Sequence, residues 1–187
     1  MSSGNSLDAD ELLHLAIDAS QKDHNDKSIE YLKQALELEP NNGKIHYMLG
    51  AMHAELGMYE RAIKDMQKAV EVEPTLDTAH FQLGLLYITS GDVESADKAW
   101  KPLNRLSKSD ALYLFKTGIL QLTNDEFQEC IDTLERGIKL NDNNLPLNKD
   151  MLMLIEKAKA ALSNNGGDDD STPKESSHVY LNAYSDD

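Results

Sequence analysis

Four small residues stand 34 positions apart along this chain, at Ala16, Gly50, Gly84 and Gly118. A second ladder keeps the same interval, at Ser28, Ala62, Ala96 and Cys130. A 34-residue period with small residues at two fixed phases demands paired helices that approach closely and then stack on copies of themselves. A bulky residue at either phase would overpack the crossing. A chain built this way is all-α and offers an extended surface rather than a preformed cleft.

Setting the first repeat at Ala9 aligns four units, 9–42, 43–76, 77–110 and 111–144. One further phase reads Leu32, Met66, Trp100 and Leu134; another reads Leu15, Leu49, Leu83 and Thr117. Each unit carries two blocks of apolar residues at helical spacing, split by a polar turn. The turns fall at Lys22-Asp23-His24-Asn25, Leu56-Gly57-Met58, Ser90-Gly91-Asp92 and Thr123-Asn124-Asp125. Pro40-Asn41-Asn42-Gly43 and Pro74-Thr75 close the first two units.

This pattern resembles the tetratricopeptide repeat. The second unit carries it best, through Leu49-Gly50, Tyr59, Ala62, Ala69 and Pro74, and the third follows through Leu83-Gly84, Tyr87, Gly91 and Ala96. The first and last units are degenerate, as terminal repeats usually are. The resemblance implies a right-handed superhelical solenoid of four helix hairpins. One departure stands out. Pro102 falls inside the second helical block of unit three, where it removes a backbone donor and predicts that the helix kinks or ends near Trp100.

The segment 145–162 follows the last repeat. Leu147, Met151, Leu154, Ile155, Ala158 and Leu162 form one apolar stripe, so it reads as a helix capping the exposed end of the stack. Ser163-Asn164-Asn165-Gly166-Gly167 predicts its stop. Residues 1–8 read as a flexible N-terminus and 163–187 as an acidic, mostly disordered tail. Within that tail the segment 177–187 regains Val179, Tyr180, Leu181 and Tyr184, which disorder alone does not call for. It is either a motif that docks in a groove of its own or a neighbouring molecule, a motif read by another protein, or an unremarkable terminus.

Net charge is −15 and the pI near 4.7; the tail carries −5 of that, leaving −10 on residues 1–162. Such a surface repels phosphate backbones, so nucleic acid is not an expected partner. It suits an apolar or a basic protein client. No apolar run approaches the roughly 18 residues needed to span a bilayer, so no membrane partner is expected. The N-terminus lacks the basic and apolar regions of a signal peptide. A single cysteine, Cys130, excludes an internal disulfide, and its small ladder phase makes it a core residue rather than a reactive thiol. A soluble, reducing compartment, the cytoplasm, is the corresponding expectation.

In tetratricopeptide-repeat folds the first helix of each hairpin lines the concave face. The resemblance therefore points the fifth position (Leu13, Tyr47, Phe81, Phe115) and the ninth (Ile17, Ala51, Leu85, Ile119) into a groove, joined by Ile88 and Leu122 at the twelfth. These positions lie at i, i+4 and i+7 on one helical face. The expectation is an apolar stripe that holds a client segment, anchored mainly in units three and four. The competing reading is that curvature or the C-terminal helix buries the stripe as core. The two-carboxylate clamp of some family members is not expected, because Leu13, Ile17, Met48, Thr78 and Gln82 replace its five cationic and amide groups.

Six histidines invite a metal reading, but no cysteine or carboxylate converges with them in sequence, and His46 and His80 share a fourth position expected to pack inside the hairpin. No phosphate loop, nucleophile elbow or metal-binding His-Glu pair occurs. The sequence predicts no catalysis, no metal and no cofactor. It predicts a protein- or peptide-binding adaptor or chaperone-like module, with a self-assembling scaffold, joined through groove or tail, as the alternative.

Overall fold

The computed structural model describes residues 7–142 and 144–165. Among these, the chain is helical throughout: α1 Ala9–Gln21, α2 Asn25–Leu38, α3 Gly43–Glu55, α4 Tyr59–Val72, α5 Asp77–Thr89, α6 Val93–Trp100, a 3-10 turn Lys101–Arg105, α7 Ala111–Thr123, α8 Phe127–Leu140 and α9 Leu145–Asn165. Four helices begin at Ala9, Gly43, Asp77 and Ala111, 34 residues apart, and α9 begins 34 residues after α7. The fold is an all-α helical-repeat solenoid, and it divides into two compact units, Met1–Leu86 and Tyr87–Asp187. The N-terminal residues 1–6 and the tail with its candidate motif Val179, Tyr180, Leu181 and Tyr184 lie outside the described residues.

Local chemistry sets the helix ends. Asp8 and Glu11 form a reciprocal capping box at the start of α1, with Asp8 Oδ1 accepting from the Glu11 amide at 2.8 Å and Glu11 Oε2 from the Asp8 amide at 3.0 Å. Asn42, Asp92 and Asp110 cap α3, α6 and α7 through their side-chain oxygens. The turn inside each hairpin reverses through a left-handed residue, and these too recur every 34 positions: Asp23 at φ 58°, Gly57 at 70°, Gly91 at 77° and Asp125 at 61°. Glycine adopts that conformation without strain, and aspartate is one of the few other residues that tolerates it. At Pro102 the α-helix gives way: α6 stops at Trp100 and the chain continues as the 3-10 turn, with proline in its first positions.

In the N-terminal unit, Leu12, Ala16, Leu32, Ala35, Ile45, Leu49 and Met52 form one buried cluster from α1, α2 and α3. The ladders do what their size predicts. A Cβ on Gly50 would stand 3.0 Å from Met66 Cε, so the glycine of α3 makes the space that Met66 of α4 fills. The Ser28 hydroxyl donates to the Ala16 carbonyl at 2.9 Å, so the two ladders meet across the α1–α2 hairpin. His53 and Asp65 tie α3 to α4 through a half-buried contact of 2.5 Å.

In the C-terminal unit the equivalent pair is tighter. A Cβ on Gly118 of α7 would lie 2.5 Å from Leu134 Cδ2 of α8. Trp100 and Leu103 are fully buried where α6 hands over to the 3-10 turn. Helix α9 packs against α8 and α7 with Leu147, Met151, Leu154, Ile155, Ala158 and Ala161 buried. Ala161, not Leu162, completes the stripe, because it continues the i, i+4, i+7, i+11, i+14 row while Leu162 stays exposed. Asparagines fix the α8–α9 corner: Asn141 Nδ2 donates to the Asn144 carbonyl at 2.7 Å and to Asn148 Oδ1 at 2.8 Å. The helix also runs to Asn165, through the Ser-Asn-Asn that the sequence suggests as its stop.

Cys130 sits at the second ladder phase of α8, fully buried. Burial pushes its thiol up to about 12. Near pH 8 the thiolate fraction is then about a thousandfold below that of an ordinary cysteine. A thiol-specific probe should label the native protein at least about a thousandfold more slowly than the denatured chain. Immediate native labelling would show that the α7–α8 packing is open in solution.

Candidate functional site

The ten residues that the family resemblance assigns to a groove do not share one environment. In the C-terminal unit Ile88, Phe115, Ile119 and Leu122 are sealed, and so is Phe81 in the N-terminal unit; all five are 0–3% exposed. Leu13, Tyr47 and Leu85 are half-buried, and Ala51 and Ile17 are exposed, Ile17 at 36%. The expectation that a client anchors on the large groups of units three and four therefore needs correction, because all of them but Leu85 are interior in this structure. The accessible members of the phase lie on α1, α3 and α5.

For Phe115 the cause is visible. A Cβ on Gly137 of α8 would stand 2.5 Å from Phe115 Cε1 and 2.7 Å from Cδ1. The ring thus occupies the space that a missing side chain leaves inside the α7–α8 hairpin. Units one and two place alanine at that phase, Ala35 and Ala69. The glycine at 137 was the sequence signal that the fifth-position aromatic turns inward.

On the accessible side, the face is apolar with polar edges. Leu13 packs on the α1–α2–α3 core cluster while keeping part of its surface open. Desolvation raises the Tyr47 hydroxyl above its ordinary pKa, so it is a neutral hydrogen-bonding group at physiological pH. On α1, Asp18 pairs with Lys22 at 2.7 Å on the open surface. Leu13, Ile17, Ala51 and Leu85 offer apolar surface to a ligand, and Tyr47 adds a hydroxyl that can hydrogen-bond.

The histidines resolve differently from the expected hairpin filler. His46 Nε2 donates to the Pro40 carbonyl at 3.0 Å, and His80 Nε2 to the Pro74 carbonyl at 3.1 Å. A carbonyl only accepts, so the proton resides on Nε2 in both. Each ring pins the turn that enters its helix, six residues downstream of a proline, and that Pro-to-His spacing is readable in the sequence. Among the described residues no three His, Cys, Asp or Glu groups converge as metal ligands.

Lys116 is the buried charge that sequence reasoning missed. Its Nζ donates to Asn104 Oδ1 at 2.5 Å and lies 5.0 Å from the centre of the Tyr113 ring, so it fastens α7 to the 3-10 turn. Burial lowers its pKa, opposed by the carboxylate of Asp97. An open depression of about 620 Å³ lies where the turn Glu39–Gly43 meets Val72 and Glu73 at the end of α4. Among the described residues no helix is long and apolar enough to cross a membrane.

Known proteins place this geometry. Family profiles for the tetratricopeptide repeat match residues 31–64 and 19–42. Among solved structures, PilF of Pseudomonas aeruginosa shares the fold at a TM-score of 0.63 and 16% identity, over 86% of this chain and 78% of that one. YrrB, described as a tetratricopeptide-repeat protein with an unusual peptide-binding site, aligns at 0.60 and 16% identity over 93% of this chain and 82% of its own. A MamA fragment from Desulfovibrio magneticus aligns at 0.60 and 17% identity, over 84% and 90%. No curated protein sequence gives a significant match. Residues 19–64 thus carry matches to the tetratricopeptide repeat, and the chain shares the helical-repeat fold of these solved structures.

Proposed function

We propose that this protein is a non-catalytic interaction module that holds an apolar segment of a protein client against the first helices of its N-terminal hairpins. The observation that carries the reading is the accessible part of the groove phase, Leu13, Ile17, Tyr47, Ala51 and Leu85, on helices anchored through buried residues such as Leu12, Ala16, Ile45, Leu49 and Leu83. Protein interaction is the general role of this fold, and the peptide-binding site named for YrrB is consistent with it. The net charge of −15 favours a client that is apolar with basic flanks.

Each large apolar side chain that a client buries contributes roughly 1.5–3 kcal/mol, and ordering costs consume part of it. Two or three anchors then give affinity of about 1 µM to about 100 µM.

The experiment is a peptide-display selection against the full chain, with the winning peptides measured by fluorescence anisotropy. Ile17→Glu/Leu85→Glu should weaken them at least about tenfold, as expected when desolvated contacts turn into buried charge. Circular dichroism must first show that the variant is folded. Unchanged binding would remove this face from the reading.

A further inference from the structure

We propose that α9 pairs antiparallel with α9 of a second copy of this chain, forming a symmetric dimer through a helix face that is exposed among the described residues. The argument starts from register. Helix α9 begins 34 residues after α7, so it occupies the place of a first helix in a hairpin whose second helix is absent among the described residues. In α3 and α7 the eighth position of that register is glycine, Gly50 or Gly118, buried beneath Met66 or Leu134 of the second helix. In α9 the same position is Leu152, and it is 50% exposed.

Leu152 belongs to a full stripe. Leu145, Lys149, Leu152, Met153, Glu156 and Ala160 follow one another at i, i+4, i+7, i+8, i+11 and i+15, and all are exposed. Leu145 is 66% and Met153 51% accessible. This is a second apolar face on a helix whose first face is already spent on α7 and α8.

The stripe is complementary to itself. Setting a twofold axis between Leu152 and Met153 brings Leu152 against the partner's Met153 and Leu145 against the partner's Ala160. The same axis sets Lys149 against the partner's Glu156, and the symmetry repeats each contact, so both charged contacts are attractive. Among the described residues Glu156 pairs with an exposed Lys159 one turn along, at 3.0 Å, and its side chain remains 72% accessible. Charge also selects the surface: residues 145–162 carry +1 in a chain of net −15, so this face meets its copy without the acidic repulsion of most of the molecule.

A single helix pair buries less than about 1,200 Å² in total, which belongs to the transient class. Sedimentation equilibrium of the full chain should therefore show a reversible monomer–dimer equilibrium with a dissociation constant between about 1 µM and about 1 mM. Lys149→Glu or Glu156→Lys alone sets like charges together twice and should weaken the dimer about tenfold. The double exchange Lys149→Glu/Glu156→Lys restores opposite signs and should recover wild-type association within about threefold. Leu152→Glu/Met153→Glu should give a monomer throughout, with an unchanged circular dichroism spectrum. A wild type that stays monomeric to about 1 mM overturns the proposal, as does a dimer that the single charge variants do not move or the double exchange does not restore.

Discussion

Phe115→Ala should destabilise the protein by about 3–5 kcal/mol, the range for deleting a buried aromatic ring. At about 2–4 °C per kcal/mol for a chain of this size, the melting temperature should fall by roughly 6–20 °C. The expectation rests on the ring's fit over Gly137, where it replaces an absent side chain rather than facing a ligand. Adding that side chain tests the fit from the opposite direction. Gly137→Ala drives a Cβ into the ring and should cost about 1–3 kcal/mol, despite the better helix propensity of alanine. Phe115→Leu/Gly137→Ala recreates the Leu13/Ala35 combination of the first hairpin, and it should be less destabilised than the sum of its two single changes. Thermal unfolding of the wild type, Phe115→Ala, Phe115→Leu, Gly137→Ala and the double variant decides the matter. If Phe115→Ala left the melting temperature where it was, the ring would be a free groove residue after all.

The second large effect separates two glycines at the same phase. Gly118→Ala places a methyl group 2.5 Å from Leu134 Cδ2 and 2.7 Å from Cγ, and Leu134 is fully buried with nowhere to retreat. Overpacking of this kind costs about 1–3 kcal/mol. Gly50→Ala places one 3.0 Å from Met66 Cε and Cγ and 3.2 Å from the Ala62 carbonyl oxygen, looser contacts than at Gly118 and mostly with a flexible thioether chain that can shift by tenths of an ångström. There the gain in helix propensity, up to about 1 kcal/mol, offsets the crowding, so the change should lie within about 1 kcal/mol of neutral. Leu134→Ala alone should cost about 2–5 kcal/mol, while Gly118→Ala/Leu134→Ala should fall well below the sum. Chemical denaturation followed by far-ultraviolet circular dichroism measures all of these. Equal penalties at the two glycines would mean that side-chain flexibility does not decide the outcome.

These contrasts show where the sequence is legible and where it stops. Helix starts, the left-handed turn residues and the close ladder are dictated within a few neighbours or by a strict period, so residues such as Gly57, Gly118 and Pro102 announce their roles directly. Exposure of the groove phase is not a local property. Phe115 and Leu13 hold the same position, yet one is sealed and one half-open, because α8 carries Gly137 opposite the first and α2 carries Ala35 at the corresponding phase. Nor does periodicity report that α9 would bury one face and leave a second apolar stripe in the open; its sequence shows apolar residues on both sides, and only packing against α7 and α8 says which side is used. The histidine contacts to Pro40 and Pro74 were legible in principle, as a repeated spacing of six, but only once the turn geometry brings ring and carbonyl together.

The left-handed turn residues Asp23, Gly57, Gly91 and Asp125 have a consequence for how such a chain can change its length. Because both the reversal and the small-residue crossing recur with one period, a gain or loss of 34 residues leaves every surviving turn opposite a helix of the right phase. Any other change inside a hairpin rotates the downstream ladder away from its partner by about 100° per residue. Length in this molecule is therefore quantised: it grows and shrinks by whole hairpins, and material between those steps is tolerated only at the inter-hairpin turns or beyond the last helix.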